Sequence, residues 1–294
     1  MRFPAPQSAP QVLRLVAALL TVTVVLVLGA ISATEVREPV YDRYVSLGDS
    51  FTAAPYVPLT EVGAGCLRSI NNYPHLVAGA LRIPDLEDRS CTGAQTQDLA
   101  GSQTTLLGRR VPPQLDALSR RTDLVTVGIG ANDDRLYGRI ATRCRRMIGV
   151  CRLYDERAVI GRIIDRLGPS LVDSLGLIQE RAPQARVLLI GYPKLLPQRG
   201  DCARLPRMRP QDRATFRWAN KGLVEQMRGA AEESDVEFVD FYATSLGHDI
   251  CSSDPWLQGR DGNGRRAAGM HPLAAEQLAL ARQIEDVLRR PPPD

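Results

Sequence analysis

The sequence lacks the charge imbalance that marks proteins bound to nucleic acid. Its 37 basic and 33 acidic residues nearly cancel, both signs are spread along the chain, and only 5% of the residues are aromatic. A nucleic-acid-binding domain needs a basic stripe with aromatic side chains between the charges, so we expect no nucleic-acid partner. The 294 residues are enough for one large α/β domain, and a single domain is our default expectation.

Several sequence motifs are also missing. No G-x-S-x-G motif occurs, which argues against the nucleophile elbow of the α/β-hydrolase fold. No glycine-rich phosphate loop follows the first predicted strand, so nucleotide binding has no support. No CxxC or CxxH spacing is present, which argues against a zinc site. We therefore expect neither a cofactor nor a metal ion.

A long hydrophobic run occurs only near the start of the chain. Residues 15–33 are uncharged and apolar, follow Arg2 and Arg14, and end in small residues. This pattern predicts that residues 1–33 are a secretory signal peptide and that residues 34–294 form the exported domain. The run also approaches the roughly 20 residues that span a bilayer, so an uncleaved membrane anchor is the alternative.

All six cysteines follow this segment. An even number of cysteines in an exported chain predicts three disulfides, formally with 15 possible connectivities. Pairing between sequence neighbours closes the shortest loops and is our prediction. The predicted pairs are Cys66 with Cys91, Cys144 with Cys151, and Cys202 with Cys251.

Short apolar runs alternate with longer helix-compatible stretches. Such runs are typical of strands covered on both faces, and the alternation predicts a mainly parallel sheet with helices on either side. The predicted strands are 43–48, 123–130, 185–193 and 236–242. The predicted helices are 72–81, 111–120, 156–182, 211–234 and 271–290. The arginine-rich stretch 143–157 is expected to be a surface excursion held by a disulfide.

Polar residues follow the first predicted strand. Asp49 and Ser50 come directly after Gly48, at the carboxyl end of the strand, where open α/β sheets bind their ligands. Serine is a weak nucleophile unless a base takes its proton. The chain contains three histidines, and His271, between a glycine-bearing loop and the last helix, is best placed to reach Ser50. The other two, His75 and His248, fit packing or loop roles.

Two further segments offer hydrogen-bond donors. Acyl transfer passes through an oxyanion that preorganised amide groups must stabilise. Gly93 lies in "CTGAQT" and can present its N–H on a tight loop. Asn132 lies in "GIGAND", just past a predicted strand, where small residues allow close approach.

Together these blocks resemble the SGNH (GDSL-type) hydrolases. Ser50 in "GDSFT", Gly93 in "CTGAQT", Asn132 in "GIGAND" and His271 in "GMHP" occur in that family's order over residues 43–290. The cysteine pattern is similar to the secreted actinobacterial lipase/esterase branch. The resemblance implies a flavodoxin-like α/β/α sandwich, no metal, and hydrolysis of carboxylic esters. It also implies that Ser50 is the nucleophile and His271 the base, and that Ser50 N–H, Gly93 N–H and Asn132 form the oxyanion hole.

The sequence departs from the family at one position. Many members have an aspartate three residues before the histidine, and this chain has Ala268 there. A triad's third member holds the imidazole tautomer, so we expect a Ser50–His271 dyad in which the main-chain carbonyl of Ala268 orients the ring. Asp254 and Asp261 are the side-chain alternatives.

Each site residue also has a structural interpretation. Ser50 could cap a helix, Gly93 could serve a turn, Asn132 could cap a helix, and Asp49 is expected to bond loop amides. All four blocks occurring in order favours catalysis over these separate roles.

The segment after Ser50 bears on the substrate. Phe51, Tyr56, Val57, Pro58 and Leu59 can line an acyl pocket or simply pack. We expect a small-molecule or lipid ester substrate, a monomer, and at most transient contact with a membrane or envelope surface. A short-acyl carbohydrate esterase and a non-catalytic extracellular binding domain on the same fold are the alternatives.

Overall fold

The computed structural model describes residues 41–145 and 151–291. All of them fall within one compact unit, Pro39–Asp294. The predicted signal peptide, residues 1–33, lies outside the described residues, as does part of the arginine-rich stretch. None of the helices in the described residues has the length and apolarity needed to cross a membrane.

A five-stranded parallel sheet forms the centre of the fold. Its strands are β1 (Arg43–Gly48), β2 (Asp85–Asp88), β3 (Leu124–Gly128), β4 (Arg186–Ile190) and β5 (Glu237–Val239). Their order in the sheet is β2-β1-β3-β4-β5, and every pair is parallel. This is the flavodoxin-like order, so the predicted fold class is confirmed.

Eight helices accompany the sheet in the described residues. They are α1 (Ser50–Ala53), α2 (Tyr73–Leu81), α3 (Gln97–Ala100), α4 (Leu136–Arg145), α5 (Arg157–Arg181), α6 (Pro210–Glu233), α7 (Phe241–Thr244) and α8 (Ala274–Leu288). Short 3₁₀ turns occur at Gln114–Ala117, Asp133–Arg135 and Tyr154–Glu156.

The helices cover the sheet from both sides because alternate strand residues point to opposite faces. Val45 and Leu47 of β1 belong to the core on the side of α5 and α6, whereas Tyr44 belongs to the core on the side of α2 and α8. Both faces of β1 are therefore buried, which explains the continuous apolar run in its sequence.

Two short antiparallel ribbons project from the loops. The first ribbon pairs Thr60–Glu61 with Arg68–Ser69, and the second ribbon pairs Gln103–Thr104 with Arg110–Val111. Sequence patterns gave no sign of either, because strands of two residues carry no periodicity.

The predicted helix 111–120 is wrong. The helical structure in this range is limited to the 3₁₀ turn Gln114–Ala117, since Pro112 and Pro113 hold the preceding chain extended. The Gln114 side chain instead bonds the end of β1, accepting from Gly48 N–H and donating to Gly48 C=O.

The three disulfides join the cysteines that neighbour one another in sequence. Cys66 is bonded to Cys91, Cys144 to Cys151, and Cys202 to Cys251, which are the predicted pairs.

Candidate active site

The turn after β1 presents Ser50 at the carboxyl edge of the sheet. Gly48 ends the strand, and a Cβ on it would clash with Thr52 Oγ1 and lie 2.7 Å from the Gly128 carbonyl oxygen. Asp49 then caps α1 by accepting a hydrogen bond from Phe51 N–H at 2.8 Å. The capping role considered for Ser50 therefore belongs to Asp49, and Ser50 is the first residue of the helix.

The structure brings His271 to Ser50. Nε2 of the imidazole lies 2.9 Å from Ser50 Oγ, and Nδ1 lies 2.7 Å from the carbonyl oxygen of Gly269. A carbonyl can only accept, so Nδ1 carries the proton of the neutral ring and Nε2 is left as an acceptor. The Ser50 hydroxyl therefore donates to Nε2, which is the arrangement that a general base needs.

The carbonyl that orients the ring is that of Gly269. The prediction that the Ala268 carbonyl has this role is therefore wrong by one residue. The Ala268 carbonyl accepts instead from the backbone N–H of His271, at 3.2 Å. Met270, between Gly269 and His271, has a φ of 63°, and this left-handed turn directs the Gly269 carbonyl toward the ring. A Cβ at position 269 would clash with the Arg260 carbonyl, so the turn requires glycine there.

The side-chain alternatives for the orienting group are engaged elsewhere. Asp254 contacts Nδ1 of His248 through its carbonyl at 2.9 Å and its carboxylate at 3.4 Å. Asp261 is exposed and pairs with Arg260. The ring of His75 bonds the Asn72 side chain at the start of α2. These histidines have packing and loop roles, as their sequence context indicates.

The surroundings of His271 favour its neutral form. The ring stacks against Phe51 with centroids 5.6 Å apart. Burial lowers the pKa of His271 below its usual 6.5, and the hydrogen bond to the Gly269 carbonyl partly opposes that shift. Near neutral pH the imidazole is therefore unprotonated and able to accept the serine proton.

Two backbone N–H groups near Ser50 have no acceptor in the part of the chain that the structure describes. Ser50 N–H is the first of α1, and the opening turn of a helix leaves its amides without intrahelical partners. Gly93 has a φ of 84°, a left-handed conformation that glycine adopts without strain, in the loop next to the Cys66–Cys91 disulfide. Both are available to a ligand oxygen.

Asn132 follows β3 and faces the same edge. It precedes the 3₁₀ turn Asp133–Arg135, but its side chain makes no capping bond. Its Nδ2 group donates to the Ala94 carbonyl at 3.0 Å and, over a long 3.4 Å, to Asp49 Oδ2. The second contact is weak by its length, so that proton can be shared with a substrate oxygen.

A buried Asp49–Tyr192 pair supports this arrangement and was not predicted. Tyr192 donates its hydroxyl to Asp49 Oδ2 at 2.6 Å and accepts from Ala131 N–H at 3.1 Å. Burial raises the pKa of Asp49 to about 7, although the bonds from Tyr192 and Phe51 act in the opposite direction. The sequence signal that could have indicated Tyr192 is its position, because it closely follows β4, at the sheet edge where the other site residues lie.

The site contains no cluster of metal-ligand side chains. Within residues 41–145 and 151–291, no group of three or more His, Cys, Asp or Glu residues is placed to hold a metal ion. The chemistry that the arrangement offers is a hydroxyl beside an unprotonated imidazole, with amide donors nearby.

Comparison with known proteins identifies the family of the chain. Residues 46–276 match the model of the GDSL-like lipase/acylhydrolase family. The chain is similar to Lipase 2 of Streptomyces coelicolor, with 33% identity over 95% of this chain and 98% of that protein.

Two solved structures share the fold. The phospholipase A1 of Streptomyces albidoflavus NA297 superposes with a TM-score of 0.70 and 25% identity, over 84% of this chain and 99% of that one. The extracellular lipase of Streptomyces rimosus superposes with a TM-score of 0.69 and 26% identity, over 83% and 98%. The chain belongs to the GDSL-like lipase/acylhydrolase family and is a carboxylic ester hydrolase.

Proposed function

We propose that the protein is a secreted serine esterase of lipid substrates that acts through a Ser50–His271 dyad and an acyl-enzyme. The observation that carries the proposal is the 2.9 Å contact between Ser50 Oγ and Nε2 of a histidine whose Nδ1 is bonded to a carbonyl. Without that second bond the ring could present either nitrogen to the serine. The Gly269 carbonyl replaces an acidic side chain in fixing the tautomer of His271.

In the first half-reaction Ser50 Oγ attacks the carbonyl carbon of the ester while His271 Nε2 takes the hydroxyl proton. The resulting imidazolium is stabilised by the Gly269 carbonyl. The negative charge on the former carbonyl oxygen is met by the N–H groups of Ser50 and Gly93 and by Asn132 Nδ2. His271 then gives its proton to the leaving alkoxide oxygen, the ester C–O bond breaks, and Ser50 carries the acyl group.

In the second half-reaction a water molecule attacks the acyl-serine. His271 Nε2 removes a proton from the water, the same amide donors stabilise the new oxyanion, and His271 returns the proton to Ser50 Oγ as the acyl bond breaks. The products are a carboxylic acid and free enzyme. No group other than the residues named is needed for the protons to balance.

The lipid preference rests on what the chain is similar to. Relatives named lipase and phospholipase A1 support a medium-to-long acyl ester or a phospholipid. The orienting carbonyl of Gly269 also removes the argument for a non-catalytic domain, which depended on the missing acid at position 268. Secretion is supported by the predicted signal peptide, by the three disulfides and by the likeness to an extracellular lipase.

The test is hydrolysis of p-nitrophenyl esters of increasing acyl length by the wild type and by Ser50→Ala. We expect Ser50→Ala to lower kcat by at least about 10⁴-fold. Ser90→Ala is the matched control, because the buried Ser90 hydroxyl bonds no described residue, and it should keep wild-type kcat. A fluorophosphonate should label Ser50, as seen by peptide mass. Substantial activity in Ser50→Ala would reject the mechanism, and an optimum at acetate would favour a short-acyl carbohydrate esterase.

A further inference from the structure

Exposed apolar side chains concentrate around the two ribbons. Of the ten large hydrophobic side chains that are exposed among the described residues, six lie between residues 56 and 107. Leu106 is 75% exposed and Leu59 is 68% exposed. Single exposed leucines are ordinary on a protein surface, but a cluster marks a surface that contacts an apolar partner. The six are Tyr56, Leu59, Val62, Ile70, Leu106 and Leu107.

The two ribbons lie side by side. A Cβ on Gly65, in the loop of the first ribbon, would lie 2.7 Å from Thr105 Oγ1 and 3.3 Å from Arg109 Cβ in the second ribbon. The two loops are therefore in direct contact. We call the exposed apolar side chains on and beside these two ribbons the ribbon surface, and define it as Leu59, Val62, Ile70, Leu106 and Leu107.

Both ribbons are attached to the loop that carries Gly93. The Cys66 carbonyl, in the loop of the first ribbon, accepts from Thr92 N–H at 3.0 Å. The Gln103 amide, at the base of the second ribbon, donates to the Thr92 carbonyl at 3.0 Å. Since Thr92 precedes Gly93 in the chain, the ribbon surface is anchored beside the proposed oxyanion hole.

The charges beside the exposed leucines are mainly positive. Arg109 and Arg110 are exposed, come directly after Leu106-Leu107-Gly108, and form no ion pair with any described residue. Among the eight residues of the four ribbon strands, one is acidic, Glu61 on the first ribbon. Leucines that insert beside arginines that pair with phosphate are typical of a surface that meets an anionic bilayer.

We propose that the ribbon surface docks the enzyme on an anionic phospholipid bilayer, with Leu106 and Leu107 inserted and Arg109 and Arg110 on the lipid phosphates. This rests on the proposed function, because it brings the Ser50 site to a membrane ester. It adds that the physical substrate is the aggregated lipid surface rather than a dissolved ester.

The experiment measures cosedimentation with vesicles of phosphatidylglycerol and phosphatidylcholine, using Ser50→Ala protein purified from the medium of an exporting host. That variant keeps lipid hydrolysis from changing the vesicles and makes the result independent of catalysis. We expect Leu106→Ser/Leu107→Ser to weaken binding by at least about tenfold, because two apolar side chains are no longer transferred from water into the bilayer. Arg109→Gln/Arg110→Gln should weaken it about tenfold, with a reduced dependence on salt.

Matched controls come from other surfaces. Leu246→Ser removes a leucine that is also exposed, and Arg120→Gln/Arg121→Gln removes two adjacent exposed arginines from the turn before β3. Both should bind vesicles like the parent protein. As an independent readout, the added indole fluorescence of Leu106→Trp should shift to the blue on adding vesicles, whereas that of Leu246→Trp should not.

Several outcomes would overturn the proposal. They are no binding by the Ser50→Ala protein, full binding by Leu106→Ser/Leu107→Ser, equal affinity for vesicles of phosphatidylcholine alone, or a solution dimer that the leucine substitutions dissociate. With Ser50 intact, the leucine variant should hydrolyse soluble p-nitrophenyl butyrate like the wild type. If the wild type failed to hydrolyse that soluble ester, the proposed function would be contradicted. The vesicle-binding result would not be affected, because it is measured without catalysis.

Discussion

At the scale of single residues, the site depends on which protonation state His271 holds. Its hydrogen bond to the Gly269 carbonyl cannot supply a negative charge, so the imidazolium gains less stabilisation than an aspartate would give. Burial acts in the same direction and lowers the pKa of His271. In the proposed mechanism His271 is therefore unprotonated at neutral pH, and it readily passes the proton that it takes from Ser50 to the leaving group.

The first prediction is an acid limb in kcat/KM with a midpoint below 6.5. The histidine must be neutral to accept the serine proton, so activity falls as pH drops through its lowered pKa and reaches a plateau above it. The measurement is kcat/KM for p-nitrophenyl butyrate across the acid and neutral range. A midpoint near 7 that disappears in Asp49→Asn would assign the limb to Asp49, whose pKa burial raises to about 7.

The second prediction concerns Asp49 as a positioning residue for Asn132. In Asp49→Asn the new amide can still accept from Phe51 N–H, but its NH₂ group would face Asn132 Nδ2, donor against donor. Displacing Asn132 should lower kcat about ten- to a hundredfold with little change in KM, because the bond from Asn132 to the substrate oxyanion forms only in the transition state.

Tyr192→Phe is the matched control for that substitution. It removes the hydroxyl that donates to Asp49 but leaves the contact between Asp49 and Asn132. We expect a smaller loss of kcat together with a lower Tm, since Ala131 N–H loses its acceptor. An unchanged kcat in Asp49→Asn would show that Asn132 does not depend on the carboxylate.

The residues that sequence could predict are those that follow buried strands. Ser50 and Asn132 each come after an apolar run, and parallel strands end at a common edge, so their proximity follows from topology. The contact between Asp49 and Tyr192 joins residues 143 positions apart, and no local pattern specifies it. The sequence predicted correctly that a main-chain carbonyl orients His271, but it placed that carbonyl one residue too early. The left-handed turn at Met270, which sets its position, has no sequence signature.

At the scale of elements, β2 is the strand that hydrophobic pattern could not predict. Its sequence, Asp85–Asp88, is mostly acidic, and all four residues are only partly buried because the strand lies at the sheet edge. Arg43 of β1 pairs with Asp85 and Glu87, so charge rather than burial accompanies the pairing. Charged residues on an edge strand also discourage association with further strands.

The third prediction concerns Gln277, which joins three helices. From α8 its side chain accepts from Tyr73 N–H of α2 at 2.7 Å and donates to the Phe51 carbonyl of α1 at 3.0 Å. Gln277→Leu would leave both backbone groups buried without partners, at a cost of about 3 kcal/mol in the free energy of unfolding. Guanidinium chloride titration measures this loss.

The control for Gln277 lies on the same helix. Gln283 makes one longer bond, to the Asp240 carbonyl at 3.3 Å. Gln283→Leu should therefore cost less than about 1 kcal/mol. Equal losses in the two variants would mean that replacing a glutamine on α8, rather than breaking the link among helices, sets the stability.

At the scale of the whole molecule, site residues follow four of the five strands of the sheet. Ser50 follows β1, Gly93 follows β2, Asn132 follows β3 and Tyr192 follows β4, while His271 precedes α8. In a 2-1-3-4-5 sheet the chain changes direction between β1 and β3, and a crevice opens at their carboxyl ends. Ser50 and Asn132 lie on either side of that crevice, so the fold itself brings the proposed nucleophile beside a proposed oxyanion donor.

His271 depends on a different part of the chain for its position. The segment after the Cys202–Cys251 disulfide runs beside the histidine turn and bonds it at three points. Gly259 C=O accepts from Met270 N–H at 3.1 Å, His271 C=O accepts from Gln258 N–H at 2.9 Å, and Trp256 C=O accepts from Leu273 N–H at 2.8 Å. His271, the proposed base, is thus held by a segment that directly follows a long-range disulfide.

The fourth prediction is that the disulfides differ in effect. In the chain-entropy view, loops of 49 and 7 residues give about 4 and about 2.4 kcal/mol of stability, so Cys202→Ala/Cys251→Ala should lower the free energy of unfolding more than Cys144→Ala/Cys151→Ala. Of these two pairs, only the first directly precedes the segment that bonds the histidine turn. It should therefore also lower kcat at temperatures well below its Tm, while the second pair keeps wild-type kcat.

Guanidinium chloride titration and ester hydrolysis on the same samples separate these effects. A loss of stability in Cys202→Ala/Cys251→Ala with kcat unchanged would mean that the three backbone bonds hold His271 without the disulfide. Loss of kcat in both pairs would instead indicate a general loosening of the fold. Only a local effect on His271 predicts that Cys202→Ala/Cys251→Ala loses both stability and kcat, while Cys144→Ala/Cys151→Ala loses stability and keeps its kcat.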